Sequence, residues 1–270
     1  MSSIKTAFLD LGYMDTLSGR DTLIHRIDPR AKLLTTLIFI IAVLSFDKYE
    51  ISALVPFFLY PVVMISYGEL PVYYLLRKIL IVSPFAVMIG IFNPLIDREI
   101  LMHLGPLSLS GGWLSFCSIM IKFTLTAGSV LVLIACTGFN SVCMALEKMG
   151  VPRIFAVQLL FLYRYIFVLI DEASRMVNAR SLRSFNGKGM GIKVFSYLLG
   201  HLLLRTIDRA QRIHLAMLCR GFNGEIRINR RLEAGMREVV FTSAWSAFFI
   251  FMRFYNIPLI AGSFITELIL

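Results

Sequence analysis

Apolar runs recur at 33–46, 51–67, 79–96, 113–137 and 239–255, and no feature of the chain constrains its fold more. A bilayer crossing takes roughly 20 mostly apolar residues, so five crossings is the working count. A hydrophobic fraction of 57% against 16% charged residues is far from a soluble average. The expected fold is an all-α integral membrane protein with about five transmembrane helices, plus cytoplasmic or interfacial helices between the fourth and the fifth.

The net charge of +10 is unevenly placed. Sixteen of the 27 Lys and Arg, but six of the 17 Asp and Glu, fall between Asn140 and Arg237, which leaves eleven of each elsewhere. A basic run between two spans follows from the positive-inside rule, without a nucleic-acid partner. Arg26, Arg30 and Lys32 before the first span, and Arg77 and Lys78 between the second and third, belong on the same side as that run. The chain thus divides into 1–139 with four spans, a cytoplasmic segment 140–237, and 238–270 with the last span. This implies a multi-pass protein of the cell membrane with a cytoplasmic N-terminus. Met1 to Arg26 has no secretory-signal pattern and is expected to be retained.

Two stretches strain the count. Residues 154–170 are apolar, but Arg164 sits near their middle, where an arginine costs about 2.5–3.5 kcal/mol on insertion. They are read as a helix along the cytoplasmic interface. The run 33–46 reaches only about 21 Å at 1.5 Å per residue. Either its helix begins earlier, with Arg30 and Lys32 snorkelling, or the first two spans form a shallow pair.

Three helices are expected in the basic segment. A short one, from Ser141 to Met149, is capped by Asn140 and stopped by Gly150 and Pro152. A long one runs from Pro152 to about Ser184, and a third from about Lys193 to Arg220, stopped by Gly221. In the third, Leu199, Leu203, Ala210 and Met217 share a face. Arg205, Arg209 and Arg212 form a basic stripe read as a solvated or headgroup face, with Asp208 spaced to pair with Arg212. Cys117, Cys136, Cys143 and Cys219 have no ligand or disulfide spacing and read as reduced structural thiols.

The two long helices end alike: Leu182-Arg183-Ser184 before a glycine-rich loop, and Cys219-Arg220-Gly221 before Phe222-Asn223-Gly224. One arginine in a last turn is accounted for by the helix dipole. The repetition points further, because a guanidinium at a helix tip is a rigid, permanently charged fork suited to pairing with carboxylates.

Together with these tips, several ordered motifs resemble a known family, the transmembrane T component of energy-coupling factor (ECF) transporters, in particular the cobalt-type CbiQ group. They are His25-Arg26-Ile27-Asp28-Pro29-Arg30-Ala31-Lys32-Leu33, Phe92-Asn93-Pro94-Leu95, Gly150-Val151-Pro152-Arg153, Tyr163-Arg164-Tyr165 and Asp171-Glu172-Ala173. The resemblance spans about Leu17 to Phe222. It implies a non-catalytic subunit that transmits the motion of two ATPase subunits to a separate substrate-binding membrane subunit, with cobalt as cargo. It also implies that Arg183 and Arg220 dock onto the ATPases, with Leu182, Ser184, Cys219 and Gly221 shaping the tips. The family's tips usually read Ala-Arg-Gly, and here only Gly221 keeps the flanking glycine.

Arg180, almost one turn before Arg183, Arg164, and Lys122 in the fourth span are secondary candidates; a charge in a span is a functional hypothesis by default. Asn93-Pro94 reads as a helix end or kink, and His103 and His201 stand alone. The Walker pattern GxxxxGK[ST] is absent, so ATP falls to the partners and this chain is expected to carry no cofactor or metal of its own. Two other readings remain. A lipid-directed membrane transferase would rest on the carboxylate pair Asp171-Glu172, and a permease would contain its own substrate path.

Overall fold

Asp28 and Pro29 set the start of the first long helix. In the computed structural model, which describes residues 12–96, 100–104, 107–183, 191–222 and 235–255, the Asp28 carboxylate accepts the Arg30 amide at 2.8 Å and Pro29 takes the first helical position. Residues 12–18 (α1) and Leu23–Arg26 (α2) precede it. The helix itself, α3, spans Pro29–Leu44 and begins earlier than the apolar run, as one of the two expectations had it. Its 16 residues still rise only about 24 Å. Lys32 does not snorkel. It is 1% exposed and donates to the Cys136 carbonyl at 3.2 Å and the His25 carbonyl at 3.5 Å.

A 3-10 segment, Ser52–Phe58, leads into α4, Leu59–Tyr67. Pro71 then precedes α5, Val72–Gly90, which starts before the expected third span and ends at Gly90. Arg77 and Lys78 accordingly lie within that helix rather than in a loop ahead of it, and the Lys78 ammonium sits 5.4 Å from the Tyr74 ring centre. Pro84 inside α5 cannot bond the Leu80 carbonyl, and the Ser83 hydroxyl donates to that carbonyl at 2.9 Å. Asn93-Pro94 opens a single turn, α6, Asn93–Ile96. A short antiparallel hairpin follows, β1 Ile100–Leu104 with β2 Leu107–Ser110, which pairs His103 with Ser108.

Helix α7, Gly111–Thr137, runs antiparallel to α3 and α5. Its buried positions Ser115, Ser118, Leu125, Ser129, Val132 and Cys136 recur at helical spacing. Small residues let backbones approach where lipid gives helices no hydrophobic reason to associate. A Cβ on Gly90 would meet the Phe116 ring at 2.9 Å. Gly138, at φ +77°, turns the chain into α8, Phe139–Lys148. Asn140 lies inside α8 instead of capping it, because the positive φ of Gly138 lets the helix begin two residues earlier than expected.

The last helix of this first unit, α11, Met236–Phe254, packs on α3. Phe39, Phe57, Tyr60 and Phe249 are fully buried between α3, the 3-10 segment, α4 and α11. Phe39 lies 4.8 Å from Tyr60 and 5.3 Å from Phe249, and the Tyr60 hydroxyl meets Thr36 Oγ1 at 2.8 Å.

The chain divides into two compact units: residues 1–145 with 232–270, and residues 146–231. The second contains α9, Arg153–Arg183, and α10, Ile192–Cys219. By length and apolarity α5, α7 and α9 qualify as membrane crossings, and 52–67 is a shorter apolar helix. The chain is an all-α integral membrane protein whose one β element among the described residues is the hairpin.

Candidate coupling site

Helices α9 and α10 bury almost nothing within their own unit. Ala156 is the one buried residue of α9, and α10 has none. They meet along Phe161, Tyr165, Val168 and Leu169 on one side and Thr206, Ala210, Ile213 and Met217 on the other. Leu199 and Leu203, read as sharing a face with Ala210 and Met217, are exposed.

Both tips are exposed. Arg183 is the last residue of α9, beside Leu182 at 81% exposure, whereas Ser184 lies outside the described residues. Arg220 caps α10 within a defined turn: the Gly221 amide donates to the Leu218 carbonyl and the Phe222 amide to the Met217 carbonyl, each at 3.0 Å. This pair of bonds needs a left-handed residue at the glycine, and Gly221 has φ +76°. Val151 and Gly150, the latter at φ +109°, close α8 with the same two bonds. Cys219 is an exposed thiol.

The charges of this unit fall into two sets. Asp171 binds Arg175 at 2.6 Å, Glu172 binds Arg205 across the helix pair at 2.6 Å, and Glu147 binds Arg153 at 3.4 Å. No ion pair among the described residues reaches Arg164, Arg180, Arg183, Arg209, Arg212 or Arg220, and Asp208 does not pair with Arg212. The adjacent carboxylates Asp171 and Glu172 thus each hold an arginine. Among the described residues no group of three or more His, Cys, Asp and Glu gathers as a metal site.

Lys122 belongs to the first unit. Its ammonium donates to the Phe46 carbonyl at 2.6 Å and the Asp47 carbonyl at 3.4 Å, just past the end of α3. Arg253 holds the same turn through the Ser45 carbonyl at 2.9 Å and lies 4.5 Å from the Phe46 ring centre. Cations placed on the free carbonyls of a helix C-terminus are stabilising. Lys32 does the same for the end of α7. Burial pushes the Cys143 thiol in α8 up to about 11, which keeps it protonated.

Sequence reasoning missed three of these features: the Glu172–Arg205 bridge, the inward turn of Lys32 and the role of Arg209 in lining the α9–α10 cleft. The i, i+3, i+4 spacing of Phe161, Tyr165, Val168 and Leu169 was the signal for the cleft.

A family model described as cobalt transport protein, CbiQ, matches residues 20–230. The chain belongs to the CbiQ cobalt transport protein family. Similar relatives include an energy-coupling factor transporter transmembrane protein EcfT of Heliobacterium modesticaldum, 29% identical over 85% of this chain and 92% of the relative. Another EcfT, from Leuconostoc gelidum, is 28% identical over 76% of this chain and 81% of the relative. An uncharacterized protein of Methanocaldococcus jannaschii is 29% identical over 81% of this chain and 78% of its own length. The CbiQ match extends over α3 to α10 and so includes both arginine tips.

Proposed function

We propose that this CbiQ-family chain is the transmembrane T component of an energy-coupling factor uptake transporter, with Arg183 and Arg220 as its contacts to two ATPase subunits. The observation that carries this reading is the recurrence of an exposed arginine, unpaired among the described residues, at the end of each long helix of the second unit. A guanidinium held at a helix tip is prepaid in geometry for a carboxylate on a partner. ATP is bound and hydrolysed by the partners. A separate membrane subunit binds the substrate, for which the family description and a relative named as a putative fused cobalt transport protein, CbiMQ, favour cobalt.

The first unit supports placing α9 and α10 on the cytoplasmic side. Lys32 holds the end of α7 beside the start of α3, and Arg253, near the end of α11, holds the end of α3. Both α7's end and α11's start therefore lie where α3 starts. The chain between them crosses an even number of times. Helix α10, with Arg205, Asp208, Arg209 and Arg212, is not apolar enough to cross, which favours no crossing by either helix although α9 alone is long and apolar enough. The positive-inside rule then puts this side, and the N-terminus, in the cytoplasm.

The test is uptake together with co-purification of the ATPases for Arg183→Glu and Arg220→Glu, with Lys193→Glu at the far end of α10 as control. Each tip variant should lose transport and most co-purification, because breaking a desolvated charge pair costs about 2–5 kcal/mol. Folding should lose at most the dipole contribution of about 0.3–1 kcal/mol. Normal transport and co-purification in both tip variants would refute the docking assignment.

A further inference from the structure

The cleft between α9 and α10 has two chemically distinct halves. One is an apolar slot of about 360 Å³ lined by Phe161, Tyr165, Val168, Ala210, Ile213, Met217 and Phe222. The other is a polar hollow of about 340 Å³ that holds Arg205, Arg209 and Arg212 with Glu172. Leu169, Thr206 and Arg209 line both, so slot and hollow share a wall.

The charge in this cleft is unbalanced. Glu172 is already bound to Arg205 at 2.6 Å, and Arg209 and Arg212 have no ion pair among the described residues. No carboxylate is among the described residues that line the slot. A site with a narrow apolar trough opening beside two uncompensated guanidinium groups is complementary to an amphiphile with an apolar tail and an anionic head.

We infer that this cleft binds an anionic phospholipid, its acyl chain in the slot and its phosphate against Arg209 and Arg212. Guanidinium groups bind phosphate oxygens in a planar fork, and a chain embedded in a bilayer is surrounded by phospholipid. The site requires only this chain and the lipid. Its failure would leave the helix-tip assignment standing, and failure of the tips would leave the lipid site standing.

Native mass spectrometry of the full-length chain in detergent, titrated with a phosphatidylglycerol or with a phosphatidylcholine of the same acyl chains, tests the inference. Wild type should retain the phosphatidylglycerol roughly 25-fold more strongly, since each of the two basic side chains near the anionic headgroup contributes a factor of about five. Arg209→Gln with Arg212→Gln should erase that preference, whereas Ala210→Trp, which fills the slot and keeps both charges, should weaken retention of both lipids. Arg175→Gln, whose arginine is paired with Asp171, should leave both unchanged. Equal retention of the two lipids by wild type overturns the proposal, as does a preference that survives the double variant. Displacement of phosphatidylglycerol by millimolar inorganic phosphate overturns it in favour of a phosphate site. In the intact complex, a photo-crosslinker at position 210 should label lipid; labelling of a partner subunit alone overturns it in favour of protein docking. Because the arginines are exposed, the double variant is expected to unfold at the wild-type temperature and carries the test should Ala210→Trp misfold.

Discussion

In the first unit, Lys32, Lys122 and Arg253 each end on backbone carbonyls, at the close of α7 or of α3. In the second, Arg183, Arg209, Arg212 and Arg220 reach no carboxylate among the described residues. The difference in packing runs in parallel. Phe39, Phe57, Tyr60 and Phe249 interlock at 5–6 Å in the first unit, while α9 and α10 together bury a single residue. Cations tied to helix ends hold a bundle together. Free cations on a lightly packed helix pair are available to something outside it, which is how a T component would hold its membrane part still and expose its coupling part.

The sharpest way to break this comparison is to remove one apolar side chain from each unit. Phe249→Ala empties a fully buried position in contact with Phe39, Phe57, Tyr60 and Trp245, and a loss of about 3–5 kcal/mol is expected. Leu215→Ala on α10, where the side chain is 60% exposed, should stay within about 0.5 kcal/mol. Unfolding of both variants in the same detergent measures the difference. Comparable losses would mean that the second unit is stabilised by burial after all.

Much of this division was readable in the sequence. Apolar runs located α3, the 52–67 stretch, α5, α7 and α11, Asp28-Pro29 marked where α3 begins, and glycines marked where α8 and α10 stop. The misses share a cause. Whether Lys32 snorkels or turns inward depends on which carbonyl of α7 lies across from it, a contact 104 residues distant in sequence. The basic stripe Arg205, Arg209 and Arg212 was legible as charge, but its division into one bridged and two free arginines depends on where Glu172 of α9 falls. Periodicity gives the face of a helix and not its partner. Pro71, which precedes the first residue of α5, and the Lys78 ammonium over the Tyr74 ring likewise carried α5 further toward its N-terminus than hydropathy alone indicated.

A smaller effect comes from His25, which joins the N-terminal turn to the bundle. Its Nδ1 lies 2.7 Å from Thr22 Oγ1 and its Nε2 3.1 Å from the Leu17 carbonyl, with Lys32 and Arg20 as the neighbouring charges. Burial, then the Lys32 ammonium, lower its pKa from the usual 6.5. The folded chain therefore binds this proton less readily than the unfolded chain. Its contribution to stability is complete above pH 6.5 and is lost as the pH falls toward the folded value. One such group changes stability by no more than about 1.4 kcal/mol per pH unit. Melting temperature followed from pH 8 to pH 5 should fall, and His25→Gln should flatten the fall; an unchanged slope in the variant assigns the pH dependence elsewhere.

The smallest effect sharpens the comparison from the other side, because it concerns the one ion pair seen to join α9 to α10 among the described residues. Arg205 is 64% exposed and Glu172 27% exposed in their side chains, so solvent screens the bridge and its contribution falls in the range of about 0.2–1 kcal/mol. Glu172→Gln should shift global unfolding by no more than that, and salt should mask even this difference, since screening acts over about 8 Å at physiological ionic strength. Local behaviour should respond more, because α9 and α10 have little buried surface to hold them when the bridge is gone. Hydrogen exchange of the α10 amides around Arg205 should quicken in Glu172→Gln while the amides of α3 and α7 stay at the wild-type rate. Glu172→Gln with Arg205→Gln should resemble the single variant, as expected when both substitutions remove the same interaction. Exchange that quickens equally in α3 and α7 would show that the two units open together, and the division drawn from their packing would then fail.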